Sequence, residues 1–324
     1  MSLPRWLVAS VRAGWHWQWL QLMGGLGPAD RQGNYRRPAS AVPEAGAVPA
    51  SADEAGRHWL VIGRSCPWAH RVWLVWSLRG LGSTLTLAEA SPDLRGGRWI
   101  LDPPRDGFST LADLYRAHRT PRQHRPTVPV LLDRIGERVL CNDSAGMMDL
   151  LNRWPAEPGS IDLDPPDCRE ASQRWRLRLQ DTVNDGVYRC GFARCQSAYE
   201  QAHAELMQAL ESADRELSQA GPWLCGASLT LADLCLFTTL IRWELVYEPL
   251  FGCSGRPLWS FSSLYRWRAA LYNLPEVRAT CDGAAWRQHY FAGLFPLNPG
   301  GIVPLPAPLE QIVTGMSAPA PARP

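Results

Sequence analysis

The 324-residue sequence contains no lysine; all 33 of its basic residues are arginine. That excludes Schiff-base chemistry on a lysine side chain and a lysine-bearing phosphate loop. There is no C-x-x-C pair and no Cys/His cluster at finger spacing, so neither a dithiol motif nor a structural zinc site is expected. The nine cysteines are odd in number, which argues against a disulfide framework. Several, such as Cys141 and Cys235, lie in apolar runs and read as small buried hydrophobes. Unpaired thiols fit a reducing, cytoplasmic compartment. Long unbroken apolar runs are also missing. Residues 6–26 are apolar but interrupted by Arg12, His16 and several glycines, and they lack the A-x-A-like end of a signal peptide. They read as no membrane span but as an amphipathic helix lying on the protein, with membrane-surface association as the competing reading. A net charge of only +2 supplies no basic field for nucleic acid. No internal repeat is visible.

What is present is an ordinary globular composition, 46% hydrophobic and 20% charged, in a chain long enough for two domains. Sixteen tryptophans suggest a large aromatic core with some rings left to stack on flat ligands. A Pro/Ala/Gly-rich loop over 39–56 closes an N-terminal extension and linker, 1–56. The pattern then reads as strand 58–63, helix 67–80 and strand 84–89. A long polar connection over 91–126 carries one helix, 110–118. Strands 128–132 and 138–141 and helix 143–152 follow. This α/β order, with about four strands, matches a thioredoxin-like βαβαββα domain over 57–154. After a linker at 155–166 the chain reads as all-α, with helices 168–187, 197–219, 231–247 and 261–271 in a domain spanning 165–295. Thr230-x-x-Asp233 is a capping-box-like start. The Pro/Gly-rich tail, 296–324, is expected to run over the surface and to end in a disordered last dozen residues.

Cys66-Pro67-Trp68-Ala69 sits where a strand ends and a helix begins. Pro67 suits the first helical position, so the thiol faces unpaired N–H groups and the positive helix end. Both favour the thiolate and predict a lowered pKa. Ala69 stands where a resolving cysteine would sit, so an external thiol must complete any redox cycle; glutathione is the candidate. A structural cysteine in a helix cap remains the alternative. Val128-Pro129, between the long connection and a hairpin, is expected to be cis and to leave the Val128 backbone free for a peptide-like thiol. Asp143 and Ser144 open a helix, as N-caps and as ligands for the carboxylate and ammonium of a γ-glutamyl group. His70 reads as a packing or surface residue rather than a base.

Together, SCPWAHR (65–71), TVPVL (127–131), CNDSAGMMDLLN (141–152), NDGVYRCGFA (184–193), LTLADLCLFTTLIRWELVY (229–247) and HYFAGLFPLNPGGIVP (289–304) resemble the Xi class of glutathione transferases, the glutathionyl-hydroquinone reductases. The resemblance spans roughly 33–306. It implies a thioredoxin-like domain followed by a helical domain, glutathione as co-substrate, no metal, and a homodimer acting on glutathionyl-hydroquinones. Cys66 is then the nucleophile, with Tyr188 and Tyr290 lining the acceptor pocket as proton or hydrogen-bond donors. Trp99 packs on glutathione, Thr127, Val128 and Pro129 face its backbone, and Asp143 with Ser144 holds its γ-glutamyl end. The family's usual Glu-Ser-Ser is Asp143-Ser144-Ala145 here, which removes one hydroxyl and shortens the acid. Phe291 stands where a second tyrosine is common. The lysine common near glutathione must be replaced by arginine; Arg98, Arg122 and Arg125 are the candidates.

Overall fold

The computed structural model describes residues 3–40, 42, 56–94, 97–118 and 125–315. Strand β1 (His58–Ile62) is buried along its whole length. A strand covered on both faces is apolar at every position rather than alternating, as HWLVI nearly is. Helix α2 (Pro67–Leu78) returns the chain to strand β2 (Thr86–Asp93), which runs parallel to β1. Strands β3 (Arg98–Arg105) and β4 (Phe108–Thr110) follow, then helix α3 (Leu111–Ala117). Strand β5 (Val130–Asp133) runs antiparallel to β1 and pairs with β6 (Arg138–Cys141). Helix α4 (Ser144–Asn152) closes the α/β part, capped by the Asp143 carboxylate, which accepts from the Gly146 N–H at 2.7 Å.

The sheet has six strands, in the order β4-β3-β2-β1-β5-β6, not the expected four. The additional pair lies inside the connection read as polar loop. Pro103 and Pro104 masked β3; they fall past its pairing with β2, which ends at Leu101, and in the irregular stretch of its pairing with β4 between Ile100 and Arg105, where missing N–H groups are tolerated. Its turn is Asp106-Gly107, both with positive φ (49° and 80°), the conformation that a two-residue hairpin demands.

The rest is helical: α5 (Arg169–Leu179), α6 (Gly186–Gly191), α7 (Gln196–Ala220), α8 (Leu231–Leu240), α9 (Glu248–Phe251) and α10 (Ser262–Tyr272). Short helices α11 (Pro275–Arg278), α12 (Gly283–Gly293) and α13 (Leu309–Thr314) complete it. The helices expected over 168–187 and 231–247 are each interrupted by a π-helical turn, Gln180–Asn184 and Trp243–Tyr247. Such turns insert one residue into the ladder and re-aim the side chains beyond it. The tail runs along the surface as expected up to α13, whose Val313 is fully buried. The expected disorder of the last dozen residues falls mostly on 316–324, outside the described residues.

An N-terminal helix, α1 (Arg5–Leu26), is present, but it does not lie on the protein along its length. Only its last turns pack, through Met23, Trp19 and Leu26, and the Arg194 guanidinium fastens them by donating to the Met23 carbonyl at 2.7 Å. Arg5, Arg12 and His16 sit within its apolar arc, so burying that arc on a core would bury unpaired cations.

The Thr230–Asp233 capping box forms as expected. Asp233 is fully buried and accepts from the N–H groups of Leu224 (2.9 Å) and Thr230 (3.0 Å) and from Trp267 Nε1 (2.9 Å). Removing one acceptor from three buried donors strands all of them. Asp233→Ala is therefore expected to lower unfolding stability by at least about 3 kcal/mol, read from urea midpoints.

Candidate active site

Cys66 is the N-cap of α2, with Pro67 in the first turn. The turn before it is held from the helical part of the molecule. Trp286 Nε1 donates to the Arg64 carbonyl at 3.0 Å, and Arg242 donates to the same oxygen at 3.4 Å. The Ser65 hydroxyl contacts His289 Nδ1. The Cys66 thiol donates to the Val128 carbonyl at 3.6 Å. The Val128–Pro129 bond is cis. Gly63 is required by close approach: a Cβ there would lie 2.5 Å from the Trp99 ring and 3.1 Å from Val128.

The thiol does not have the lowered pKa expected of its helix position. Burial pushes it up, and this is the largest influence. The N–H groups of Ala69 and Trp68 and the cations Arg242 and Arg37 pull the other way without overcoming it. The local reading counted the helix end but not the desolvation imposed by the helices packed around it.

Arg242 is the unexpected charge. It is fully buried and donates to His70 Nδ1 at 2.9 Å and the Thr238 carbonyl at 2.8 Å. It stacks 4.1 Å from the Trp286 ring centroid. No carboxylate pairs with it among the described residues. His70 is a packing residue, as expected: it is buried, its Nε2 lies 2.8 Å from Thr280 Oγ1, and burial with Arg242 alongside pushes its pKa well down.

One cavity of about 1230 Å³ takes in Cys66, Arg98, Trp99, Arg125, Thr127, Val128, Pro129, Asp143, Ser144, Tyr188 and Tyr290. Arg122 lies outside the described residues. At one end Ser144 Oγ accepts from Arg71 Nε at 3.1 Å and Nη2 at 2.5 Å. Arg71 is buried, with its guanidinium 4.7 Å from the Trp68 ring. At the other end the hydroxyls of Tyr188 and Tyr290 are 2.5 Å apart, and Tyr247 is 3.4 Å from Tyr290. Burial raises all three phenols, so they stay protonated across the neutral range. Phe291 is buried and does not line the cavity.

Tyr35, Arg37, Arg71 and His289 are among the cavity residues that escaped the sequence reading. Tyr35 and Arg37 come from the N-terminal extension. Arg37 pairs with Asp185 and lies 3.9 Å over the Trp68 ring and 5.0 Å from that of Tyr188. Nothing local in NYRRP announces that placement. Arg71, five residues past Cys66, was within a quoted motif. His289 precedes Tyr290, packs edge-on to Trp99 at 5.3 Å and is pushed down to about 4 by burial. Beyond the cavity, Arg242 did carry a signal, being a lone cation in the apolar run LCLFTTLIRWELVY.

A family model, glutathione S-transferase, C-terminal domain, matches residues 196–276. The chain is 33% identical to the glutathionyl-hydroquinone reductase PcpF of Sphingobium chlorophenolicum, over 78% of this chain and 83% of that protein. The chain belongs to the Xi class of glutathione transferases, the glutathionyl-hydroquinone reductase family. The crystal structure of the glutathione transferase Xi from Phanerochaete chrysosporium superposes on this Xi-class chain with a TM-score of 0.80 at 30% identity, covering 87% of this chain and 95% of that one. The glutathione-bound structure of YqjG from Escherichia coli K-12 gives 0.73 at 30% identity, covering 80% and 88%.

In this Xi-class protein the balance at Cys66 is directly measurable. The midpoint of Cys66 alkylation, followed by peptide mapping, is expected above that of the same peptide in the unfolded chain, and Arg37→Met should slow labelling at pH 8 by about three-fold. A midpoint below that of the unfolded chain would contradict the dominance of burial. Gly63→Ala is expected to displace Trp99, seen as a change in tryptophan fluorescence on adding glutathione.

Proposed function

We propose that this chain reduces glutathionyl-hydroquinones to hydroquinones at the expense of glutathione. The observation that carries this is the shared cavity: a helix-capping thiol and a pair of buried, protonated tyrosines open into one space. The Cys66 thiolate attacks the sulfur of the conjugate. A sulfur–sulfur bond forms, the sulfur–carbon bond breaks, and its electron pair goes to the ring carbon, which takes a proton. Tyr188 and Tyr290, whose hydroxyls share a hydrogen bond, supply that proton or steady the ring oxygen beside it. A second glutathione thiolate attacks the Cys66–glutathione disulfide, releasing glutathione disulfide and restoring the Cys66 thiolate. The conjugate's carbon is reduced and two glutathione sulfurs are oxidised, so electrons balance.

The remaining residues bind. The Arg71–Ser144 pair offers a cation and a hydroxyl at a helix N-terminus to the γ-glutamyl carboxylate, and Asp143 offers an anion to its ammonium. The Val128 backbone pairs with the cysteinyl unit, and Trp99 covers it. Arg125 and Arg98 line the same cavity and supply cations to the outer carboxylate. The nine cysteines, none of them in a disulfide, support a reducing, cytoplasmic setting, and the reading includes a homodimer, checked by light scattering.

The purified protein with glutathione and glutathionyl-menadiol should yield menadiol and glutathione disulfide in equal amounts. Cys66→Ala should yield neither. Tyr188→Phe and Tyr290→Phe should each lower kcat by about 100-fold while Cys66 labelling is unchanged. Reduction of dehydroascorbate, with the conjugate untouched, would replace this reading with a thiol transferase.

A further inference from the structure

The feature that the reductase reading does not use is α1. Its exposed side chains include Trp6, Val8, Val11, Trp15 and Trp17, with Trp6 70% and Trp17 62% exposed. Such a concentration of solvent-facing tryptophan on one helix is costly in water. At 100° per residue the side chains sort into a definite arrangement. Arg5, Arg12 and His16 share one side, the side on which Met23 packs against the protein at the other end of the helix. Trp6 and Trp17 flank it on one hand, Val8 and Trp15 on the other. Ser10, Gly14 and Gln18 occupy the opposite side.

Charge points to the partner. The first acidic residue of the chain is Asp30, so residues 1–29 carry Arg5 and Arg12 and no carboxylate. Removing those two from the 33 basic residues leaves 31, against 31 acidic residues. The whole formal charge of +2 therefore resides on α1, and the remainder is neutral. A cationic strip flanked by indoles matches the boundary of an anionic bilayer, where guanidinium meets phosphate and tryptophan sits at headgroup depth. It matches a second copy of the same helix poorly, because pairing would set arginine against arginine with no acid on either. No helix among the described residues is long and apolar enough to cross a membrane. Lying on the surface is the geometry left to α1 at a membrane.

We propose that α1 is an interfacial anchor that docks this protein on anionic lipid surfaces, and that the conjugates it serves carry lipid-soluble substituents. The second half rests on the reductase reading and on position. Leu26, the last residue of α1, lines the same cavity as Cys66, beside Tyr35. A helix lying in the headgroup layer thus holds the mouth of that cavity at the lipid surface, where an apolar-tailed hydroquinone resides.

The test is flotation of the full chain with phosphatidylcholine vesicles with and without 30% phosphatidylglycerol (~30%, enough to give a strong negative surface potential). Binding is expected only to the anionic vesicles and should weaken as salt is raised. Trp6→Ser/Trp15→Ser/Trp17→Ser and Arg5→Gln/Arg12→Gln should each reduce the bound fraction at least about ten-fold. Both variants should turn over water-soluble glutathionyl-menadiol at the unaltered rate, which shows that they are folded. With a long-chain glutathionyl-hydroquinone in anionic vesicles, the tryptophan variant should be at least about ten-fold slower than the parent chain. Absence of flotation overturns the anchor. So does lipid-independent self-association that the tryptophan variant abolishes, which would assign α1 to a second copy. Equal rates on the long-chain substrate overturn the substrate class alone. If glutathionyl-menadiol itself is not turned over, the reductase reading fails, and flotation still decides the anchor.

Discussion

A cation without a carboxylate organises this molecule. Arg242 arises just after α8, in the helical part, and crosses to the α/β part to donate to the His70 ring and the Arg64 carbonyl. Its charge is neutralised by dipoles alone, with the Trp286 ring stacked against it. A guanidinium tolerates this because its charge is delocalised and weakly hydrated; an ammonium would not. The arrangement fixes the turn that presents Cys66, since the Arg64 carbonyl, the Ser65 hydroxyl and the His70 ring find partners on the helical side. The two halves of the chain are joined at the thiol itself. Any loosening between them disturbs the turn that carries the Cys66 sulfur.

The surroundings of the sulfur hold opposing tendencies. Burial makes the thiol, the three tyrosines and His289 prefer their neutral forms. The helix end and the two arginines pull the Cys66 thiol down, and the same arginines pull on Tyr188, Tyr247 and Tyr290. Protonated tyrosines can give hydrogen bonds, and a neutral imidazole cannot compete for the thiolate as a counter-ion. The same desolvation thus acts on the thiol and on the phenols alike, and at Cys66 a helix end also opposes it.

Much of this was legible along the chain. A strand running into Cys66-Pro67 reads as a helix cap, and Thr230-x-x-Asp233 reads as a helix start, because both depend on neighbours a few residues away. The α/β-then-α order follows from a change of period near Trp154. The hairpin of β3 and β4 was hidden by Pro103 and Pro104, although Asp106-Gly107 marked its turn. The sign of the Cys66 shift was not legible, because it is set by burial, which comes from the packing of the whole fold rather than from neighbours along the chain. Arg37 was equally silent: its place over Trp68 depends on Asp185 and on the packing of an extension whose own sequence looks like linker.

One consequence concerns the thiols as a population. Cys195, the N-cap of α7, is exposed, and its pKa is lowered by the Ser197 hydroxyl and the Ala198 N–H. Cys66 is more enclosed and shifted the opposite way. Oxidants and alkylating agents arriving from solvent therefore meet the more reactive thiolate at Cys195 first. Loss of titratable thiol begins at Cys195, and a count of free sulfhydryls in an ageing sample does not follow the sulfur at the head of α2.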